Sequence, residues 1–228
     1  MLSSSPVNAL DQDLQDISAS LVRMLSLVKE ETELAKRALI DAEPDAALTC
    51  SQNDLEVDAL MEKLEQRILS VIARRQPAAG ALRFLGAGYR ALADIERAGD
   101  YAEHVAKAGA ELAKEPPLKK YTDMQHILTI LGQMIETTIQ ALADSSVERA
   151  KEAHRMDKEI DDLYEQIQRE LLTYMLERPE TITAGIKLLS VARNLERLGD
   201  HLENVNEHFI FWLTSERIDT FESQEVGY

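Results

Sequence analysis

A chain of 228 residues with 45% hydrophobic and 29% charged side chains has enough apolar material for a packed core, which excludes a disordered chain. Its 41 acidic residues against 25 basic ones leave a formal charge of −16, a field that repels phosphate backbones and points away from nucleic acid. The longest apolar run is the five residues from Phe209 to Leu213, far short of the roughly 20 that a spanning helix needs. Contact with a membrane is therefore expected only through a partner.

Met1 to Pro6 show no basic stretch ahead of an apolar one, so no secretory leader is expected and the chain is placed in the cytoplasm. Cys50 is the one cysteine, which rules out an intrachain disulfide and a thiolate metal site.

In chain order, prolines and apolar spacing predict helices over residues 8–42, 53–75, 79–114, 119–144, 147–177 and 181–214. The first carries a heptad seam through Leu10, Leu14, Ile17, Leu21, Met24 and Val28, with steps of 4, 3, 4, 3 and 4. Pro44 and Pro77 bound the second, and the pair Pro116-Pro117 closes the third. Asp144-Ser145-Ser146 is the weakest break, and Pro179 separates the fifth helix from the sixth. The sixth repeats the heptad step through Leu195, Leu198, Leu202, Val205, Phe209 and Trp212. No alternating strand pattern of useful length occurs, so the fold class is all-α, and residues 215–228 form a polar tail.

An internal repeat organises these helices. Asp94-Ile-Glu-Arg-Ala-Gly-Asp100 returns as Asn194-Leu-Glu-Arg-Leu-Gly-Asp200, an offset of 100. Asp54-Leu-Glu-Val-Asp58 returns as Asp157-Lys-Glu-Ile-Asp161 at an offset of 103, and Pro77 returns as Pro179 at 102. The sequence thus predicts two pseudo-symmetric three-helix bundles, over 8–115 and 118–214.

The repeated segments carry acids four apart, which share one helix face about 6 Å along the axis. Asp54 with Asp58 and Glu96 with Asp100 form two pairs in the first copy. Asp157 with Asp161 and Glu196 with Asp200 form their counterparts in the second. On a solvated helix such a pair costs only about 0.2–0.5 kcal/mol, so a plain surface role is the alternative for each. Against it stand the duplication in register, the position of Glu196, Asp200, Glu203 and Glu207 beside the apolar seam, and the mid-helix Gly99 and Gly199. Carboxylates gathered at about 6 Å would repel by about 3 kcal/mol per pair, a repulsion that Arg97 and Arg197 relieve in part and a divalent ion would relieve further. All-carboxylate sites favour Mg²⁺, Mn²⁺, Ca²⁺ or iron. His104, four residues after Asp100, would make the first site friendlier to iron or zinc, and its counterpart is Asn204. Glu103, Glu203, Asn204 and Glu207 are further candidate ligands. No glycine-rich phosphate loop, nucleophile elbow or Glu-x-x-His pair is present, so an enzyme is not expected.

Ile95-Glu96-Arg97-Ala98-Gly99-Asp100 and Leu195-Glu196-Arg197-Leu198-Gly199-Asp200 resemble the doubled acidic motif of the PhoU family of phosphate-signalling regulators. Ala73-Arg74-Arg75-Gln76-Pro77, Leu82-Arg83 and Leu172-Thr173-Tyr174-Met175 are similar to other family phrases, and the resemblance runs from about residue 10 to 213. The first copy departs from the pattern at Ala98, His104 and Lys107. The resemblance implies a non-enzymatic cytoplasmic adaptor that restrains the phosphate-starvation response, coupling the Pst phosphate ABC transporter, through its ATPase subunit, to a PhoR-type sensor kinase. It also implies a homodimer and bound Mg, Mn, Fe or Zn. An accessory protein of another ion transporter, a scaffold with solvated acids and a metal-dependent enzyme are the rival readings.

Overall fold

In the computed structural model, which describes residues 9–216, six long helices follow one another with short joints. They are α1 (Ala9–Leu39), α2 (Asp45–Arg75), α3 (Ala79–Leu112), α4 (Thr122–Asp144), α5 (Val147–Glu177) and α6 (Ile182–Thr214). A single 3-10 turn, Pro179–Thr181, joins α5 to α6. The described residues contain no strand. The predicted helix start at residue 8 and tail residues 217–228 lie outside the described residues.

The joints follow from local chemistry. Gln76 takes a left-handed conformation (φ 48°) and its N–H bonds the Ile72 carbonyl, which ends α2 directly before Pro77. Ser145 (φ 50°) caps α4 in the same manner, and the Ser146 hydroxyl accepts from the Arg149 N–H to open α5. The weakest break in the sequence is thus two helix caps side by side. One predicted boundary fails by eight residues: α2 starts at Asp45, not at residue 53. Asp45 suits the positive end of the helix dipole, and Ala46, Ala47 and Cys50 in this added stretch are buried.

The helices of each copy pack on one another, α1, α2 and α3 in the first and α4, α5 and α6 in the second. Ile17, Leu21, Met24 and Val28 of α1 meet Val57, Ile68 and Val71 of α2 and Leu92 and Ile95 of α3, all fully enclosed. Leu131, Met134, Ile160, Leu195, Leu202 and Phe209 do the same work in the second copy. Position by position, the burial of residues 91–100 matches that of 191–200, so the sequence repeat is a structural one. The bundles do not hang apart on the double proline. α3 lies along α6 and α1 along α4, and the core is continuous across them.

Polar contacts fix this junction. Lys29 of α1 pairs with Glu136 of α4 at 2.6 Å. Asp94 of α3 receives three groups of α6: His201 Nδ1 at 2.9 Å, His208 Nε2 at 3.1 Å and Asn204 Nδ2 at 3.3 Å. Burial opposes ionisation of Asp94, but the bonds to His201 and His208 outweigh it and hold the carboxyl well below the usual range. Within the second bundle, Thr138 and Asn206 bond each other in an otherwise apolar core, with Asn206 Nδ2 donating to Thr138 Oγ1 at 2.8 Å.

Candidate metal centres

The motif pairs fall on facing helices in both copies. In the second bundle, α5 carries Asp157 and Asp161 while α6 carries Glu196, Asp200, Glu203 and Glu207. One carboxylate oxygen each from Asp157, Asp161 and Asp200 lies within 4.8 Å of the other two. Asp157 is almost enclosed, at 4% exposure, and Asp161 faces solvent. The close approach depends on Gly199: a Cβ there would stand 2.5 Å from Asp157 Oδ1 and 3.2 Å from Ile160 Cδ1. Glycine at mid-helix, unfavourable by about 1 kcal/mol, is explained by the carboxylate that occupies its space.

In the first bundle, α2 presents Asp54 and Asp58 to Glu96, Asp100 and Glu103 of α3. Gly99 holds the position of Gly199, but Asp54 Oδ1 stands 3.7 Å from where a Cβ would be, an ordinary contact distance. Among the described residues, no three oxygens here meet within 4.8 Å as they do in the second bundle. Lys107 holds Glu103 at 2.6 Å in this copy, whereas the matching position in the second copy is Glu207. Burial would raise Glu103, yet the bonds from Lys107 and Ser51 leave it below the usual range.

The electrostatics mark both clusters as groups under strain. Burial first, then Glu203, Asp161, Asp200 and Glu196, push Asp157 up to about 8. Burial, then Glu103, Asp100 and Asp58, push Asp54 up to about 6. Burial also raises Glu96, Asp100, Asp161 and Glu196, with a neighbouring motif aspartate adding to each. The arginines of the motif sit where the repeat predicts. Arg197 bonds Asp200 at 2.9 Å, and Arg97 stands 3.9 Å from Asp100.

A divalent ion fits this chemistry because several oxygens are enclosed without a hydrogen-bond partner. They are Asp54 Oδ1, Asp157 Oδ1 and Glu196 Oε2, with both oxygens of Glu31. Buried acceptors are ordinarily satisfied, and a cation would satisfy several at once. The remaining predicted residues are less convergent. His104 is exposed and lies edge-on to Tyr101, with ring centres 6.2 Å apart. Asn204 gives its amide to Asp94, at the bundle junction.

Two residues near the clusters escaped the sequence reading. Glu31 of α1 is completely enclosed and reaches Gly99, its Oε2 lying 2.8 Å from where a Cβ would stand. The signal was present: one more step of three along the α1 seam after Val28 lands on Glu31. His154 of α5 places Nε2 at 3.4 Å from Glu203 and 3.7 Å from Glu207. It stands three residues before Asp157, on the same helix face, and its partners lie on another helix.

The comparisons agree with the doubled helical fold. The PhoU domain model matches residues 21–109 and again 124–208. The phosphate-specific transport system accessory protein PhoU homolog of Deinococcus radiodurans is 44% identical over 209 residues, 92% of this chain and 98% of that one. The homolog of the same description from Aquifex aeolicus is 34% identical, across 82% of this chain and 85% of its own. The crystal structure of PhoU from Pseudomonas aeruginosa superposes with a TM-score of 0.87 at 30% identity, covering 90% of this chain and 99% of that one. The phosphate transport system regulatory protein PhoU from Streptococcus pneumoniae has the same fold, with a TM-score of 0.85 at 23% identity and coverage of 92% and 99%. With two matched domains over most of its length and a relative 44% identical across 92% of it, the chain belongs to the PhoU family.

Proposed function

We propose that this protein is a metal-binding accessory regulator of phosphate uptake. It restrains the phosphate-starvation response by docking on the ATPase subunit of a Pst-type phosphate transporter and on a PhoR-type sensor kinase, without a chemical step of its own. The observation that carries the metal part is the pair of acidic clusters with enclosed oxygens that lack a hydrogen-bond partner. The transport part rests on relatives described as phosphate-specific transport system accessory proteins, of which one covers 92% of this chain at 44% identity.

Asp54, Asp58, Glu96 and Asp100 would hold one cation, and Asp157, Asp161, Glu196 and Asp200 the other. The ion is Mg, Mn, Fe or Zn, and the oxygen-rich donor set favours the harder ones. When bound, the ion would supply positive charge that offsets the like charges and attracts an anionic side chain of a partner. The chain's own residues do the rest. Gly99 and Gly199 let the carboxylates approach the backbone, and Arg97 and Arg197 orient the outer acids.

No described helix is long and apolar enough to cross a membrane, which accords with a cytoplasmic protein that reaches the membrane through the transporter. Exposed apolar side chains around the α5–α6 joint, among them Leu172, Leu176, Ile182 and Ile186, offer surface for a partner or for a second copy in a homodimer.

The test is a double substitution, Glu196→Gln with Asp200→Asn. It leaves the seam of Leu195, Leu202 and Phe209 untouched and should fold with unchanged helicity by circular dichroism. Expression of phosphate-starvation genes in phosphate-rich medium is expected to rise, and co-purification with the transporter ATPase to weaken. A folded variant that still represses fully would sink the proposal.

A further inference from the structure

Glu31 has no place in the paired motifs. It occupies the apolar seam of α1 after Met24 and Val28, is fully enclosed, and leaves both carboxylate oxygens without a hydrogen-bond partner. It enters the first cluster from the core side: its Oε2 and Asp54 Oδ1 both lie against Gly99, 2.8 and 3.7 Å from where a Cβ would stand, and Asp54, Glu103 and Asp100 are the like charges that act on it most strongly. The fold itself does not call for an acid there. The repeat offset of 103 places Met134 at the equivalent point of α4, and Met134 is just as fully enclosed. One apolar side chain therefore fills in the second bundle the space that a carboxylate fills in the first. Enclosing an ionised acid without a partner is unfavourable, so the group either stays protonated or meets a charge of opposite sign.

We infer that Glu31 is a ligand of the first metal centre alone, so that this centre fastens three helices, α1, α2 and α3, while the second fastens only α5 and α6. The inference rests on the metal reading of the two acidic clusters. It makes the centres chemically unequal. The first becomes an all-oxygen site closed from the core by Glu31, suited to a hard divalent ion such as Mn²⁺ or Mg²⁺. The second has Met134 in place of Glu31 and gains His154, where the first copy has Ser51.

The experiment uses the full chain with Asp157→Asn and Asp161→Asn, which silences the second centre. Mn²⁺ is titrated into this background by calorimetry, with the loss of the free-ion electron paramagnetic resonance signal as a second readout. Adding Glu31→Met, which copies the other half of the molecule, is expected to weaken Mn²⁺ at least tenfold. Glu31→Gln, which keeps the shape, should weaken it similarly. Both should melt no lower than the background in the absence of metal, and their stabilisation by Mn²⁺ should shrink.

Undiminished Mn²⁺ affinity in both variants would overturn the assignment of Glu31 while leaving the metal reading intact. Absence of Mn²⁺ binding in the background would overturn both. In the reciprocal background, Asp54→Asn with Asp58→Asn, Glu31→Met should leave binding at the second centre unchanged. An equal loss there would show that the substitution acts through the fold, and the ligand role would fall.

Discussion

Replacing Gly199 by alanine separates helix stability from metal affinity, because the two should move in opposite directions. In a helix interior, alanine is favoured over glycine by about 1 kcal/mol. At position 199 the new Cβ would lie 2.5 Å from Asp157 Oδ1 and 3.2 Å from Ile160 Cδ1. Restoring ordinary contact moves the Asp157 oxygen by about 1 Å, whereas metal ligands hold their distances to within about 0.2 Å. In the metal-free chain this retreat also relieves crowding among Asp157, Asp161 and Asp200, so the melting temperature should hold steady or rise. For metal, a misplaced ligand should cost at least the roughly 10–100-fold seen when a supporting partner of a site is lost.

The assay is Mn²⁺ calorimetry in a background carrying Asp54→Asn and Asp58→Asn, so that only the second centre is read. Gly86→Ala serves as control. Nothing lies within 4 Å of a Cβ at that exposed position, and the change should add about 1 kcal/mol, or roughly 2–4 °C, with no effect on Mn²⁺. If Gly199→Ala is as stabilising as the control and binds Mn²⁺ like its background, the close approach of Asp157 is incidental and the reasoning fails.

Two more expectations concern the metal-free chain. Burial and like charges hold Asp157 up to about 8 and Glu31 up to about 9, so from about pH 4.5 upward the folded chain carries more protons than the unfolded one. Stability contributed by these groups is therefore lost as pH rises, and the melting temperature should drop between pH 6 and pH 9, with saturating Mn²⁺ restoring it at pH 8. A metal-free melting temperature that stays flat or climbs over that range would contradict the burial of these acids. Thr138→Val removes the hydroxyl that bonds Asn206 in the second core and should cost about 1–3 kcal/mol. Chemical denaturation reads it, and a cost below about 0.5 kcal/mol would mean that Asn206 finds another partner.

Much of this molecule was legible in its sequence, for identifiable reasons. The heptad seams on α1 and α6 are built from Leu, Ile, Val, Met, Phe and Trp, which announce themselves by period. The duplicated acids could be paired across 100 residues because their local phrases are nearly the same. The first turns of α2 were missed because their buried side chains, Ala46, Ala47 and Cys50, are small and give no strong apolar period. Glu31 was missed because a period search scores it as an interruption, although its position in the seam is regular. The Asp94 junction joins residues 107 and 114 apart in sequence. No local pattern encodes such a pairing, which arises only when α3 is laid against α6.

That junction has a mechanical consequence. Asp94 stands two residues before Glu96, and the groups that grip it, His201, Asn204 and His208, interleave with Asp200, Glu203 and Glu207 along α6. The two helices that present the acidic faces are thus geared to each other at one carboxylate. Further along, Arg83 of α3 reaches the Trp212 carbonyl of α6 at 3.4 Å and adds a second tooth. An axial slip of α6 by a helical turn, about 5.4 Å, would strip Asp94 of both imidazoles unless α3 travelled with it. Whatever shifts α6 at one end of the molecule is thereby delivered to α3, and through α3 to the acidic face of the other half.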